Sequence, residues 1–493
     1  MSAIVPAILS RLHTDLLIGG RWVEAVSGER REIHDPASGE IVGDFAYGDA
    51  TDADRALAAA SAAFRGWSRT PVAERARILQ RGADLLRERL ESIAVTLTRE
   101  QGKPLPDSRK ELRFTADVFN YYAEVAKHRV DEWRPTSLPE MRSLVIRQPL
   151  GVVVAIVPWN FPVDLFSWKA APALAAGCTV VCKPAPETPL ATAQAIQCFL
   201  DAGIPDGVLN YVVGPVETLG EALITDPRSR MIAFTGSTAS GRRIMALASQ
   251  HVKRLNLELG GHTPMIILDD ADMETAIPAA VRRSFSNMGQ ICNAINRLYV
   301  AREVVEEFEK RFVEVTSQLK LGPGLEPGVE YGPMINEKQV QRTESHVEDA
   351  VERGARLLWG GRRLDGERFA RGHFYQPTVL ADVPDEARTM HEETFGPVAP
   401  IAAFEGLEEV VRRANSTEYG LVAYVFGKDV GKAMLVAEQL EFGGVGINVN
   451  DVTELGAPFG GWKESGIGRE LGPEGLEAYL EPKHIRIRLG TGL

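Results

Sequence analysis

Cys292 lies in SNMGQICNAIN, residues 286–296, and is one of only four cysteines in a chain of 493 residues. A cysteine attacks as its thiolate, and an ordinary thiol of pKa about 8.5 is mostly protonated at neutral pH. A nucleophilic Cys292 therefore needs a cation, a helix end or a base beside it; the plain alternative is a small apolar side chain in a core. Glu258, in LNLELGG, closes an apolar run with two glycines behind it. A carboxylate withdrawn from water needs a partner or a raised pKa, and the second state suits a general base. Asn160, in VPWNFP, is an amide set between prolines that fix the backbone, able to donate to an oxyanion or to stabilise a turn. Lys183 opens KPAPETP at the end of an apolar run. Gly236 and Ser237, in FTGSTASG, stand where a strand gives way to a helix, a place that suits a phosphate. That stretch is neither G-x-G-x-x-G nor a Walker sequence, so alone it fits a structural turn equally well. HEETFGP carries Phe395 where a zincin helix needs its second histidine, and the cysteines lack metal-ligand spacing, so no metal site is expected.

These groups can act together only if the fold places them at neighbouring strand ends. From Gly151 onward, β-branched runs such as GVVVAIVPWN, CTVVCKPA and RMIAFTGS alternate with helical patterns such as LFSWKAAPALAAG. That rhythm implies a parallel sheet covered on both faces, with ligands at the carboxyl ends of its strands. A second α/β series follows ELGG and ends near GGVGINVN. At the C-terminus, HIRIRLG alternates Ile485, Ile487 and Leu489 with His484, Arg486 and Arg488, a two-faced strand suited to pairing with another subunit. The length calls for two or three domains, and 44% hydrophobic content argues against disorder. A net charge of −12 without a basic stripe disfavours nucleic acid and membrane as partners. The start lacks a charged n-region and is broken by Pro6, so a cytoplasmic protein with reduced thiols is expected.

Seven motifs in order, PWNFP, KPAPETP, FTGST, ELGG, GQIC, EETFGPV and PFGGWKESGIGRE, make the chain from about residue 15 onward resemble the aldehyde dehydrogenase superfamily. The wording most resembles that of succinate-semialdehyde dehydrogenases. The resemblance implies an α/β fold: a Rossmann-type dinucleotide-binding domain (1–127 and 150–259), an α/β catalytic domain (260–462) and a small β oligomerisation element (128–149 and 475–493) serving a homodimer or homotetramer. It also implies NAD(P)-dependent oxidation of an aldehyde to a carboxylic acid. By the same resemblance Cys292 is the nucleophile, Asn160 an oxyanion donor, Glu258 the base that activates water, and Lys169 with Glu470 a proton-relay pair. Trp159, Lys183, Pro186, Gly236, Ser237, Glu393 and Phe395 would contact NAD or NADP. Pro186 stands where NAD-preferring relatives commonly carry a glutamate, and the acid falls one residue later, at Glu187, which leaves only a slight lean to NAD.

The matching segments place Phe161, Asp164, Leu165, Trp168 and Ser286 around the aldehyde, together with Ile291, Asn293, Thr453 and Phe459, with Glu454 near the mouth. Succinate-semialdehyde dehydrogenases use arginines where this chain has Trp168 and Ser286, so their carboxylate clamp is absent. The polar wall favours a small polar aldehyde: a hydroxyaldehyde, an aminoaldehyde, or a semialdehyde anchored in some other way. A cysteine-dependent esterase and a non-catalytic binding protein on the same fold are the remaining alternatives.

Overall fold

The structure, a computed structural model, describes residues 13–489, so the outermost ends of the expected first and third units lie outside it. Two sheets dominate it. The first has eight strands in the order Arg21–Val23, Leu16–Ile18, Leu209–Tyr211, Thr179–Lys183, Val152–Ile156, Ser229–Thr235, Arg254–Glu258, Gly466–Ile467. Its five central strands are parallel, with antiparallel strands at both edges. Valines at 152–154 and at 180–181 are buried between helical layers, as expected of runs that are apolar on both faces. The chain runs from Val152–Ile156 outward to one side, then crosses back to lay Ser229–Thr235 on the other. The loops carrying Asn160 and Gly236 therefore flank the point where strand order reverses.

The second sheet holds seven strands between Thr263 and Ile447, parallel except for the edge strand Arg356–Trp359. Gly466–Ile467 is the exception to a simple division: after the second sheet is complete, the chain returns and pairs Gly466 with Glu258 of the first. A third sheet joins Glu132–Arg134, Met141–Pro149 and Leu480–Arg488, the last two paired over nine residues from Leu480 with Pro149 to Arg488 with Met141. Ile485, Ile487 and Leu489 lie exposed on it, with Trp133 63% exposed. Among the described residues, no helix is long and apolar enough to cross a membrane.

Two helices frame the site. Leu105–Lys127 is laid against Pro162–Ala176, which is buried along nearly its whole length, begins with Pro162 in its first turn and stops at Gly177 in the left-handed conformation (φ +99°).

Candidate active site

A cavity of about 480 Å³ is walled by the ends of both sheets and contains Cys292, Glu258, Asn160 and Glu470. Cys292 stands just before the strand Ile295–Ala301. The loop that carries it is bent by three successive left-handed residues, Asn287, Met288 and Gly289 (φ +49°, +58° and +69°). A side chain at Gly289 would meet the Gly396 carbonyl at 2.2 Å, and one at Gly261 would meet the Cys292 carbonyl at 2.2 Å. The second glycine of ELGG is thus what lets the end of the first sheet close on the cysteine loop.

Burial dominates the electrostatics. It pushes the Cys292 thiol up to about 12, with Glu393 and Glu258 adding to the effect and Arg283 opposing it. The resting thiol is therefore protonated. Glu258 is 3% exposed, and among the described residues neither carboxylate oxygen has a hydrogen-bond partner. Burial raises its pKa well above the carboxylate range, Glu470 reinforces the shift, and Lys169 and Arg469 resist it. Lys169 Nζ donates to Glu470 Oε1 at 2.8 Å and to Thr235 Oγ1 at 2.6 Å, and Thr235 is the ladder partner of Glu258. Glu470 is held in place by a backbone bridge to Phe459.

Asn160 Nδ2 donates to the Gln290 carbonyl at 3.1 Å, two residues before the cysteine, leaving its second N–H free. Its own carbonyl accepts from Lys103 Nζ at 2.7 Å and from Asn287 Nδ2 at 3.3 Å. Lys103 forms a fully buried ion pair with Glu111, and its ammonium lies 3.7 Å from the centre of the Phe161 ring. Glu111 also accepts the N–H groups of Val163 and Asp164, the exposed donors of the buried helix. Gln101 completes the network by donating to Asn287 Oδ1 at 3.1 Å.

Sequence comparison agrees with this geometry. Residues 22–485 match the model of the "Aldehyde dehydrogenase family". The chain belongs to the aldehyde dehydrogenase family. It is 42% identical over 474 residues to the mitochondrial succinate-semialdehyde dehydrogenase of Arabidopsis thaliana, covering 96% of this chain and 89% of that one. Against the NADP(+) succinate-semialdehyde dehydrogenase of Escherichia coli it is 41% identical over 473 residues, covering 96% and 97%. The betaine aldehyde dehydrogenase of Staphylococcus aureus, solved in complex with NAD+, superposes with a TM-score of 0.97 at 36% identity, covering 100% and 98%. The protein is thus an NAD(P)-dependent oxidoreductase acting on aldehydes.

None of the expected cofactor residues lines this cavity. Lys183 is 3% exposed, and among the described residues its ammonium has no hydrogen bond or ion pair; burial lowers its pKa, with Glu187 opposing. Pro186 is half-buried beside it. Gly236 and Ser237 precede the helix Thr238–Ala248, and Ser237 caps it. Glu393 accepts the Gly261 N–H at 3.1 Å, and burial raises its pKa to about 7. Phe395, left-handed at φ +55°, meets Trp159 edge to face at 5.4 Å.

Of the expected pocket residues, Phe161, Asp164, Leu165, Trp168 and Ser286 line the cavity, as do Ile291, Asn293, Thr453 and Phe459. Trp168 donates to Asp164 Oδ1 at 2.9 Å and packs edge to face on Phe459. Glu454 does not line the cavity: it is exposed, and its carboxylate accepts the N–H of Leu455. Sequence reasoning missed Lys103, Asp107, Lys110, Glu111, Arg282 and Arg283, all of which line the same cavity. Asp107, Lys110, Glu111 and Phe114 follow i, i+3, i+4, i+7 spacing, the one signal that marks them as a single helix face.

Two outcomes follow. Because Lys103→Met strands a buried carboxylate, it should lower the unfolding free energy by about 3–5 kcal/mol, read from denaturant midpoints. Alkylation of Cys292 by iodoacetamide in the free protein should keep rising with pH past the ordinary thiol range; a plateau near pH 8.5 would contradict the burial argument.

Proposed function

We propose that the protein oxidises a short polar aldehyde to its carboxylic acid through a covalent intermediate on Cys292. The observation that carries this reading is the convergence of Cys292, the free amide N–H of Asn160 and the unpartnered carboxylate of Glu258 in one cavity. The Cys292 thiol gives its proton to the Glu258 carboxylate, the thiolate adds to the carbonyl carbon, and the resulting oxyanion is held by Asn160 Nδ2 and the Cys292 backbone N–H. Bound NAD(P) supplies the hydride acceptor that takes the thiohemiacetal to a thioester. Glu258, its first proton passed on, then removes a proton from water as the water attacks the thioester, and the intermediate collapses to the acid and the Cys292 thiolate. Lys169 and Glu470, bonded to each other next to Glu258, relay that proton. A carboxylate whose pKa is raised by burial is a stronger base for water than an ordinary one.

For the dinucleotide, Lys183 and Glu393 would take ribose hydroxyls, Gly236 and Ser237 a phosphate, and Phe395 with Trp159 the nicotinamide side. The unpaired ammonium of Lys183 fits this role. Glu187 interacts electrostatically with Lys183, which supports a lean to NAD although Pro186 holds the usual acidic position. Residues 1–127 with 150–259 form the dinucleotide-binding domain and 260–462 the catalytic domain. Residues 128–149 with 475–493 form an oligomerisation element. Its exposed strand supports a homodimer or homotetramer.

A semialdehyde is the favoured substrate class among polar aldehydes, because cations line the cavity and two of the relatives cited above are succinate-semialdehyde dehydrogenases. Absorbance of reduced nicotinamide, followed with an aldehyde panel and both dinucleotides, tests the reading; no turnover by cofactor-binding protein would refute it. Asn160→Ala should lower kcat by about 10²–10³-fold. Light scattering of the purified protein should give two or four times the chain mass, and a monomer would remove the oligomer from the account.

A further inference from the structure

We propose that an acid group at the far end of the substrate is held by Arg283, Arg282 and Lys110, a set of cations that replaces the missing arginines at 168 and 286. This rests on the aldehyde-oxidising reading above and names the part of the cavity that selects the substrate.

The three cations come from two helices that face each other across the cavity, Leu105–Lys127 and the last turn of Met273–Phe285. Arg283 is the inner one. Its Nε donates to the Asn450 carbonyl, one terminal nitrogen to Asn293 Oδ1 at 3.0 Å, and the other to Asp451 Oδ2 at 2.6 Å. A guanidinium has five N–H donors, so two remain for a ligand. Asn293 follows the nucleophile directly, which puts Arg283 within reach of a group only a few bonds from the aldehyde carbon. Arg282 and Lys110 are exposed at the mouth, and among the described residues neither has a side-chain hydrogen bond or ion pair. Ser286 Oγ donates to the Arg282 carbonyl, satisfying one of the carbonyls that end the helix.

Three of the acidic groups facing this space are paired with cations. Glu111 is paired with Lys103, Glu470 with Lys169, and Asp451 with Arg283. Asp164 accepts from Trp168, and burial raises its pKa above the ordinary carboxylate range. Asp107 alone stands among Lys103, Arg282 and Lys110. Arg282 and Lys110 thus share one neighbouring acid, Asp107, and make no ion pair of their own among the described residues. An aldehyde with an ammonium at its far end would meet unpaired cations, a neutral one would gain nothing from them, and a carboxylate would be paired.

The test compares 4-oxobutanoate with butanal, which share a chain length and differ in charge, in the wild type and in Arg282→Gln/Lys110→Gln. Both replaced side chains are exposed, so the fold tolerates the change. The wild type should prefer the acid, and the ratio of the two kcat/KM values should fall at least about tenfold in the variant. A ratio unchanged within about twofold, or a wild-type preference for butanal, overturns the proposal. A second readout needs no turnover: the rate of Cys292 alkylation by iodoacetate relative to iodoacetamide should fall in the same variant, and an unchanged ratio counts against the clamp. Loss of dehydrogenase activity with every aldehyde, with the alkylation selectivity intact, would refute the proposed reaction while supporting the anion site.

Discussion

Glu258 is the last residue of a parallel strand that is buried at its end, and among the described residues neither of its oxygens has a hydrogen-bond partner. A charge left there would be costly, so the carboxyl takes up a proton at pH values where a solvated one would have lost it. The surrounding fold maintains that condition. The strand Gly466–Ile467 seals the edge of the sheet beside Glu258, and the bridge between Phe459 and Glu470 brings a second carboxyl near. Lys169 sits where its ammonium bonds Glu470 and Thr235 rather than Glu258 itself. A direct salt bridge would return Glu258 to the ordinary carboxylate range and remove its value as a base.

Partial burial also acts on the nucleophile. It raises the Cys292 pKa and keeps the thiol protonated at rest, while Arg283 is the cation that favours the thiolate. The oxyanion donor depends on a quite separate polar network. Lys103 and Glu111 form an ion pair far from water that fixes the Asn160 carbonyl and caps the buried helix in one stroke. Buried pairs contribute little net stability against apolar replacements of similar shape, so the geometry they impose on the Asn160 loop is their clearer role.

Most of this was legible in the sequence at the level of strand ends. β-branched runs punctuated by Gly and Pro locate the loops bearing Asn160, Lys183, Gly236 and Glu258, because a strand buried on both faces leaves polar residues only at its ends. What stayed hidden depends on contacts between distant segments. Lys103, Glu111 and Gln101 read as ordinary residues at the join of two helices, and nothing local shows that Lys103 ends beneath Asn160. Nothing local singles out Arg283, which meets Asn293 across the left-handed turn at 287–289. A two-residue strand such as Gly466–Ile467 is too short to carry any periodic signal.

The central claim is that carbon becomes bonded to Cys292 and that Glu258 is needed to release it. Intact and peptide mass spectrometry of Glu258→Gln, quenched after mixing with aldehyde and NAD(P), tests this directly. The account predicts an acyl group on Cys292, lighter by two hydrogens than the simple aldehyde adduct, that accumulates in the variant and not in the wild type. An unmodified Cys292 in a variant that still reduces the dinucleotide once per chain, or an adduct on another residue, would contradict it.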